Sequence, residues 1–222
     1  MCGRFTLATA PEIVAEFFDL TAVPDLSPRY NIAPTQPAPA ILVTPEQATR
    51  IFRPLRWGLI PGWAKDPAIG NRLINARAET VAEKPAFRSA FRRRRCLVVS
   101  DGFYEWKKGP GRKRPFYIRM RDDKPFAFAG LWEHWESEDG TSIESCTLLT
   151  TRPNDLLRPV HDRMPVILDR ADHDLWLDPA MDKVDRLAAL LSPYPAEEMK
   201  AYPVGTRVNS PAQDDPSCIE PA

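Results

Sequence analysis

Arg95-Cys96-Leu97-Val98-Val99-Ser100-Asp101-Gly102-Phe103-Tyr104-Glu105-Trp106 is the stretch whose reading decides the fold. Two short runs rich in apolar, β-branched and aromatic residues flank an Asp-Gly pair, the pattern of strand, turn, strand. The pair fits a tight hairpin or a bulge. On the second strand Phe103 and Glu105 share one face, and Tyr104 and Trp106 share the other. Similar runs predict strands over 40–43, 50–58, 116–120, 126–132, 143–150 and 165–168. Helical signals are short, over 78–84, 85–92, 154–157, 171–177 and 182–191. Thr9-Ala10-Pro11-Glu12 reads as a capping box that opens an amphipathic helix through about Leu20. The Pro-rich stretch 24–39 is expected as loop. Strands fill the middle, with helices before, between and after them. The fold class is therefore α+β, with a mainly antiparallel, curled sheet.

The chain has 222 residues, room for one large domain or two small ones. Its 24 prolines favour short strands and stiff loops. Lys+Arg and Asp+Glu are 30 each, so any nucleic-acid partner must be met by a local basic patch rather than by net charge. No Gly-rich dinucleotide fingerprint or phosphate loop is present, which argues against nucleotide-driven chemistry and leaves no cofactor to expect. Cys2, Cys96, Cys146 and Cys218 are widely spaced, without a C-x-x-C pair or His at zinc-site spacing, so no metal is expected. Cys96 and Cys146 read as buried strand thiols. Pro11, Glu12 and Glu16 break up any signal peptide, and no apolar run is long enough to span a membrane. A cytoplasmic protein with reduced thiols is expected.

Met1-Cys2-Gly3-Arg4-Phe5 points to chemistry at the chain start. A small second residue invites removal of Met1, which frees an amine and a thiol on Cys2. Their unperturbed pKa values are roughly 7.7–8.0 and roughly 8.5, so both are partly nucleophilic near neutrality. With an aldehyde the amine gives a Schiff base, and the adjacent thiol closes a five-membered thiazolidine without a second encounter. Gly3 allows close backbone approach, and Arg4-Phe5 looks like the start of an ordered strand. Against this stands an incidental Cys in a frayed terminus.

Other candidates surround this one. The Asn75 amide could hold the thiol, the backbone or a bound sugar, or could simply cap a helix. Glu105, beside Phe and Trp, could be desolvated into an acid–base range, or could be a solvated strand carboxylate. His161 could move protons, or could be a structural ring satisfied by Asp162. His134 and His173 read as structural. Arg4, Arg77 and Arg163 lie near these groups and suit phosphate oxygens. Trp63 could stack on a base, whereas Trp57 fits a core position better. The runs Arg92-Arg93-Arg94-Arg95 and Lys107-Lys108…Arg112-Lys113-Arg114 read mostly as solvated surface.

Taken together, Met1-Cys2-Gly3-Arg4-Phe5, Arg29-Tyr30-Asn31-Ile32-Ala33-Pro34, Trp57-Gly58-Leu59-Ile60-Pro61, Asn75-Ala76-Arg77-Ala78-Glu79-Thr80, Gly102-Phe103-Tyr104-Glu105-Trp106 and His161-Asp162-Arg163-Met164-Pro165 resemble the SOS response-associated peptidase family of abasic-site sensors. The resemblance runs in order from Cys2 to about Asn209. It implies one domain over 1–210, a pseudo-barrel flanked by short helices, with 211–222 as a tail. It implies a basic groove for single-stranded DNA kinked at the lesion. By motif match Cys2 is the nucleophile, Asn75 positions the reacting groups, Glu105 serves the amine and imine steps, and His161 assists proton transfer and reversal. Arg4, Arg77 and Arg163 fall at phosphate-contacting positions, Trp63 at a stacking position, and Thr150 and Thr151 at a polar pair lining the groove. The family also carries a proposed autopeptidase activity. A monomer acting on DNA in the cytoplasm is expected. Two other functions remain open at this stage: a cysteine amidohydrolase of the N-terminal-nucleophile type, and a non-covalent DNA-binding module.

Overall fold

The computed structural model describes residues 2–44, 47–109 and 113–222. Met1 and Arg112, named above, lie outside these residues. Five strands close a ring: β3 (Pro37–Thr44), β4 (Gln47–Trp57), β6 (Arg95–Ser100), β9 (Phe126–Glu136) and β10 (Ser142–Thr151). The order around it is β10-β4-β3-β6-β9 and back to β10. Every pairing in the ring is antiparallel except β4–β10, which runs parallel through Ser145↔Arg56 and Cys146↔Trp57. The predicted curled sheet is thus a closed barrel, and closure removes its free edges.

A second sheet covers one side of the barrel. Its order is β13 (Met199–Pro203), β8 (Arg114–Met120), β7 (Gly102–Lys107), β1 (Phe5–Leu7) and β2 (Arg29–Ile32). Aromatic edges join the two layers. Phe5 meets Trp57 at 5.1 Å and Phe128 at 5.8 Å between ring centroids, and Phe103 meets Phe128 at 5.8 Å. Each ring is fully buried, which is worth about 1.5–3 kcal/mol per side chain. The opposite face of the second sheet buries Tyr104 and Tyr117 with Val204, Val208 and Cys218.

The Asp-Gly pair makes neither a hairpin nor a simple bulge. It is a corner at which the chain leaves the barrel (β6) and enters the second sheet (β7). Asp101 holds the corner. Its Oδ2 accepts from the backbone N–H groups of Ala8 and Thr9 and from the Thr9 hydroxyl, and its Oδ1 accepts from the Thr6 hydroxyl. Gly102 is required because the Tyr117 phenol lies over it; a Cβ there would sit 2.0 Å from the Tyr117 oxygen.

The same corner explains why no capping box forms. Thr9 is spent on Asp101, and α1 (Pro11–Phe17) starts after Ala10 with no side-chain cap. α2 (Arg88–Arg93) begins late because Pro85 disfavours helix at Lys84, so 78–84 is a series of turns. Residues 155–160 are also turns, and α3 (His173–Leu177) and α4 (Val184–Ala189) complete the helices among the described residues. β2 forms where loop was expected, paired to β1. Two of its backbone N–H groups, on Tyr30 and Asn31, donate to Asp214. The last residues, expected as a tail, therefore pack against the sheet, with Cys218 fully buried and Val204 bridged to Pro221. Among the described residues no helix is long and apolar enough to cross a membrane.

Candidate functional site

β10 gathers the site. Along one edge it pairs in parallel first with β4 and then with β5 (Asn75–Arg77), through Leu148↔Asn75 and Thr150↔Arg77. Along the other it pairs with β9 and then with β11 (Met164–Pro165), through Thr151↔Met164. Asn75 and the 161–163 segment thus arrive at the same end of β10. The remaining groups come from the second sheet. β1 and β7 pair antiparallel with Phe5 opposite Phe103, and Tyr104 N–H donates to the Arg4 carbonyl. That register carries the chain start toward Glu105.

Cys2 is fully buried. Asn75 Nδ2 donates to the Cys2 carbonyl at 2.8 Å, so the amide holds the backbone of Cys2, and its Oδ1 is buried without a partner among the described residues. Asn75 opens a strand and caps no helix. Burial first, and the charge of Glu105 second, push the Cys2 thiol above its ordinary range. Glu105 is 1% exposed, not a solvated strand residue. Burial is the main cause that raises its carboxyl from 4.5 to about 7, and Asp162 acts in the same direction.

His161 Nε2 lies 3.9 Å from Glu105 Oε2. The Arg163 backbone N–H donates to His161 Nδ1 at 3.0 Å, which leaves the ring proton on Nε2, facing the carboxyl. Asp162 also approaches Nδ1 at 3.0 Å, which would favour a proton there. Its side chain is 89% exposed, so solvent weakens that pull, and the directed N–H and burial dominate. Burial chiefly holds the imidazole below its ordinary pKa, so it is neutral at pH 7. The four expected catalytic residues are thus drawn together: Asn75 bonds to Cys2, the charge of Glu105 acts on the Cys2 thiol, and His161 lies against Glu105.

The expected DNA-contacting residues divide. Arg77 is exposed, with no ion pair among the described residues. Trp63 is 63% exposed beside Lys65 and Arg72. Arg163, in contrast, forms a two-pronged ion pair with Glu79 at 2.6 and 2.9 Å and donates to the Thr150 carbonyl. It braces the His161 segment against β10. Arg4 donates to Asn31 Oδ1 and to the carbonyls of Val208 and Asn209. Thr150 and Thr151 are buried, the Thr150 hydroxyl directed to the Ala76 carbonyl. Trp57 is buried as expected, its Nε1–H bonded to the Ile74 carbonyl. His173 is buried against Phe18 and His134 is exposed, both away from these groups. Cys96, Cys146 and Cys218 are free and buried.

Reasoning from the sequence missed the partners of these residues. Glu79 and Asn31 lie inside the motifs quoted above, yet their roles depend on contacts 84 and 27 residues away in the chain. Among the described residues no cluster of three or more His, Cys, Asp or Glu side chains is placed to hold a metal.

Comparison with known proteins places the whole chain among relatives. The family model described as SOS response associated peptidase (SRAP) matches residues 1–211. The abasic site processing protein YoqW of Bacillus subtilis is 44% identical, with 99% of each chain covered. The abasic site processing protein HMCES of Xenopus tropicalis is 32% identical over 86% of this chain and 65% of its own. A crystal structure of a protein from Bacteroides thetaiotaomicron superimposes with a TM-score of 0.86 at 28% identity, covering both chains completely. With the family model spanning nearly the whole sequence, the chain belongs to the SOS response associated peptidase (SRAP) family.

Proposed function

We propose that this protein processes abasic sites by capturing their open-chain aldehyde on Cys2 in single-stranded DNA. The observation that carries the reading is the linked set of Cys2, Asn75, Glu105 and His161, with one carboxyl poised near pH 7. The relatives' names, abasic site processing proteins, support the same substrate.

The steps balance without a cofactor. Once Met1 is removed, the Cys2 amine attacks the sugar aldehyde. A nitrogen–carbon bond forms, and the carbonyl oxygen takes a proton from Glu105 in its acid form. The carboxylate then takes one proton from the carbinolamine nitrogen and passes it to the hydroxyl, which leaves as water as the nitrogen lone pair closes the C=N bond, giving a protonated imine. The thiol sulfur adds to the imine carbon, the C=N electron pair moves to nitrogen, and the thiol proton passes to the Glu105 carboxylate, restoring its acid form. The sum is aldehyde plus aminothiol giving thiazolidine plus water. A group with a pKa of about 7 suits both halves of this exchange. The neutral His161, donating from Nε2, steadies the carboxylate and relays protons during formation and reversal. Exposed Arg77 and Trp63 meet phosphate and base, and Arg4 borders the strand. We read the protein as a monomer working at damaged DNA in the cytoplasm, with residues 1–210 as the functional domain.

The test is incubation with a single-stranded oligonucleotide bearing one abasic site, followed by a denaturing gel. Wild type gives a shifted band, and intact mass of the protein lacks Met1. Cys2→Ala gives no stable band, yet keeps an amine that borohydride traps as a reduced imine. A stable band from Cys2→Ala equal to wild type would remove Cys2 from the chemistry. Release of ammonia from glutamine without any DNA product would favour an amidohydrolase instead.

A further inference from the structure

An open groove of about 560 Å³ runs beside the chain start, lined by Gly3, Arg4, Pro34, Trp106, Lys113 and Asn209. Gly3 follows the nucleophile directly. Trp106 leaves β7 on the face opposite Glu105, as the strand alternation requires. The groove, which begins at the residue after Cys2, therefore offers an indole and two cations, the chemistry that takes a base and its phosphate. Of these groups, Arg4 and the Trp106 indole are held by the 3-10 turn Thr206–Asn209. Asn209 Oδ1 accepts from the Trp106 indole N–H at 2.7 Å. The carbonyls of Val208 and Asn209 accept from Arg4 at 2.6 and 3.4 Å.

The turn is itself anchored from β2 and from the residues that follow it. Asn31 is fully buried, and its Nδ2 donates to the carbonyls of Val208, Ser210 and Gln213 at 3.2, 2.9 and 2.7 Å. Asp214 accepts from the backbone of Tyr30 and Asn31 and pairs with Arg29. A turn fixed at this many points presents the Asn209 side chain as a rigid acceptor. The indole, half-buried near the end of β7, takes its orientation from that acceptor.

We infer that Asn209 is a positioning residue that orients Trp106 for the nucleotide next to the lesion, acting through the indole N–H. The inference deepens the proposed function and rests on it. A bond at the protein surface adds little to folding stability, so the consequence falls on DNA binding. It falls on binding rather than on the chemical step, because Asn209 lies on the side of β7 away from Glu105.

A double-mutant cycle tests this with wild type, Asn209→Ala, Trp106→Phe and the combined variant. The probe is a single-stranded oligonucleotide bearing one abasic site. The readouts are the DNA concentration at half-maximal crosslinking rate and the maximal rate. Asn209→Ala raises the half-saturating concentration about fivefold, the scale of one lost hydrogen bond, and leaves the maximal rate unchanged. Trp106→Phe, which removes the donor and keeps an aromatic ring, does the same. The combined variant is no worse than either single one. Multiplied effects, about 25-fold in the combined variant, would overturn the inference, as would an Asn209→Ala variant indistinguishable from wild type. Trp106→Phe breaks the same bond from the other side, so a poorly folded Asn209→Ala does not stall the test. If wild type forms no crosslink, the proposed chemistry fails by itself. The same four proteins are then compared in binding an oligonucleotide with a tetrahydrofuran abasic analogue, where the same non-additivity upholds the role of Asn209 and additivity refutes it.

Discussion

Replacing Glu105 with Gln should make the protein more stable and less active, with a pH signature that identifies the cause. In the unfolded chain this carboxyl ionises at its ordinary 4.5; in the fold, burial moves it to about 7. Between those values the native state binds more protons than the unfolded state, so stability falls as pH rises, and it levels off above 7. The span corresponds to about 3 kcal/mol, a substantial part of a typical domain's stability. Gln has nearly the same shape and no charge to desolvate. The difference in unfolding free energy, Glu105→Gln minus wild type, should therefore grow by about 3 kcal/mol from pH 4.5 to pH 8. Urea unfolding followed by tryptophan fluorescence at pH 4.5, 6, 7 and 8 measures it. His173, which burial holds down to about 4, gives both proteins an opposite slope that cancels in the difference. The crosslinking rate at pH 7 should fall about a hundredfold or more in the same variant, the lower end for loss of a positioned acid–base group. A stability difference that stays constant across pH, or shrinks as pH rises, would refute the desolvation argument even if activity is lost.

The other perturbations test the frame and the DNA-facing side. Asp101→Ala removes four accepted hydrogen bonds at the corner between the two sheets and should lower unfolding free energy by about 3 kcal/mol, read in the same urea experiment. A loss below about 1 kcal/mol would mean the corner is held by packing alone. Arg77→Ala should reduce the slope of log affinity against log salt by about one, because its guanidinium is exposed and without an ion pair among the described residues. Arg163→Ala should leave that slope nearly intact and slow crosslinking, since its guanidinium is committed to Glu79 and Thr150. A full unit lost from the slope in Arg163→Ala would show that DNA displaces Glu79.

What the sequence made legible follows from how local each signal is. The apolar runs placed the barrel strands well, and the alternation along Phe103-Tyr104-Glu105-Trp106 put Phe103 and Tyr104 on opposite faces, which the fold buries in two separate clusters. Asp101-Gly102 was read as a turn between paired strands because a hairpin is the commonest local use of that pair. Its role as a corner depends on Thr6, Ala8 and Thr9, which lie more than ninety residues earlier. β2 was invisible for the same reason: Arg29–Ile32 lacks strand periodicity and is recruited by β1 and by Asp214 from the far end of the chain. The site residues were identified through motif resemblance more than through spacing. Nothing local links positions 2, 75, 105 and 161; the pairings of β10 with β5 and β11, and of β1 with β7, do that. The division of the arginines into exposed and braced could not be read from sequence either, because it turns on the partner Glu79.

Burial of the nucleophile also fixes an order of events. A thiol pushed above its ordinary pKa stays protonated at pH 7, so thiolate is not the resting reagent at Cys2. An α-amine, ordinarily near 7.7–8.0, keeps a neutral fraction of roughly a tenth or more at that pH. In the proposed chemistry nitrogen therefore attacks first and sulfur second. The second attack is easier than the first, because a protonated imine beside the thiol favours loss of its proton, and the Glu105 carboxylate, whose charge acts on this thiol, is the group to receive it. Desolvation thus serves both partners. It keeps the thiol unreactive until an imine forms next to it, and it keeps the carboxyl able to exchange a proton at the moment one must move.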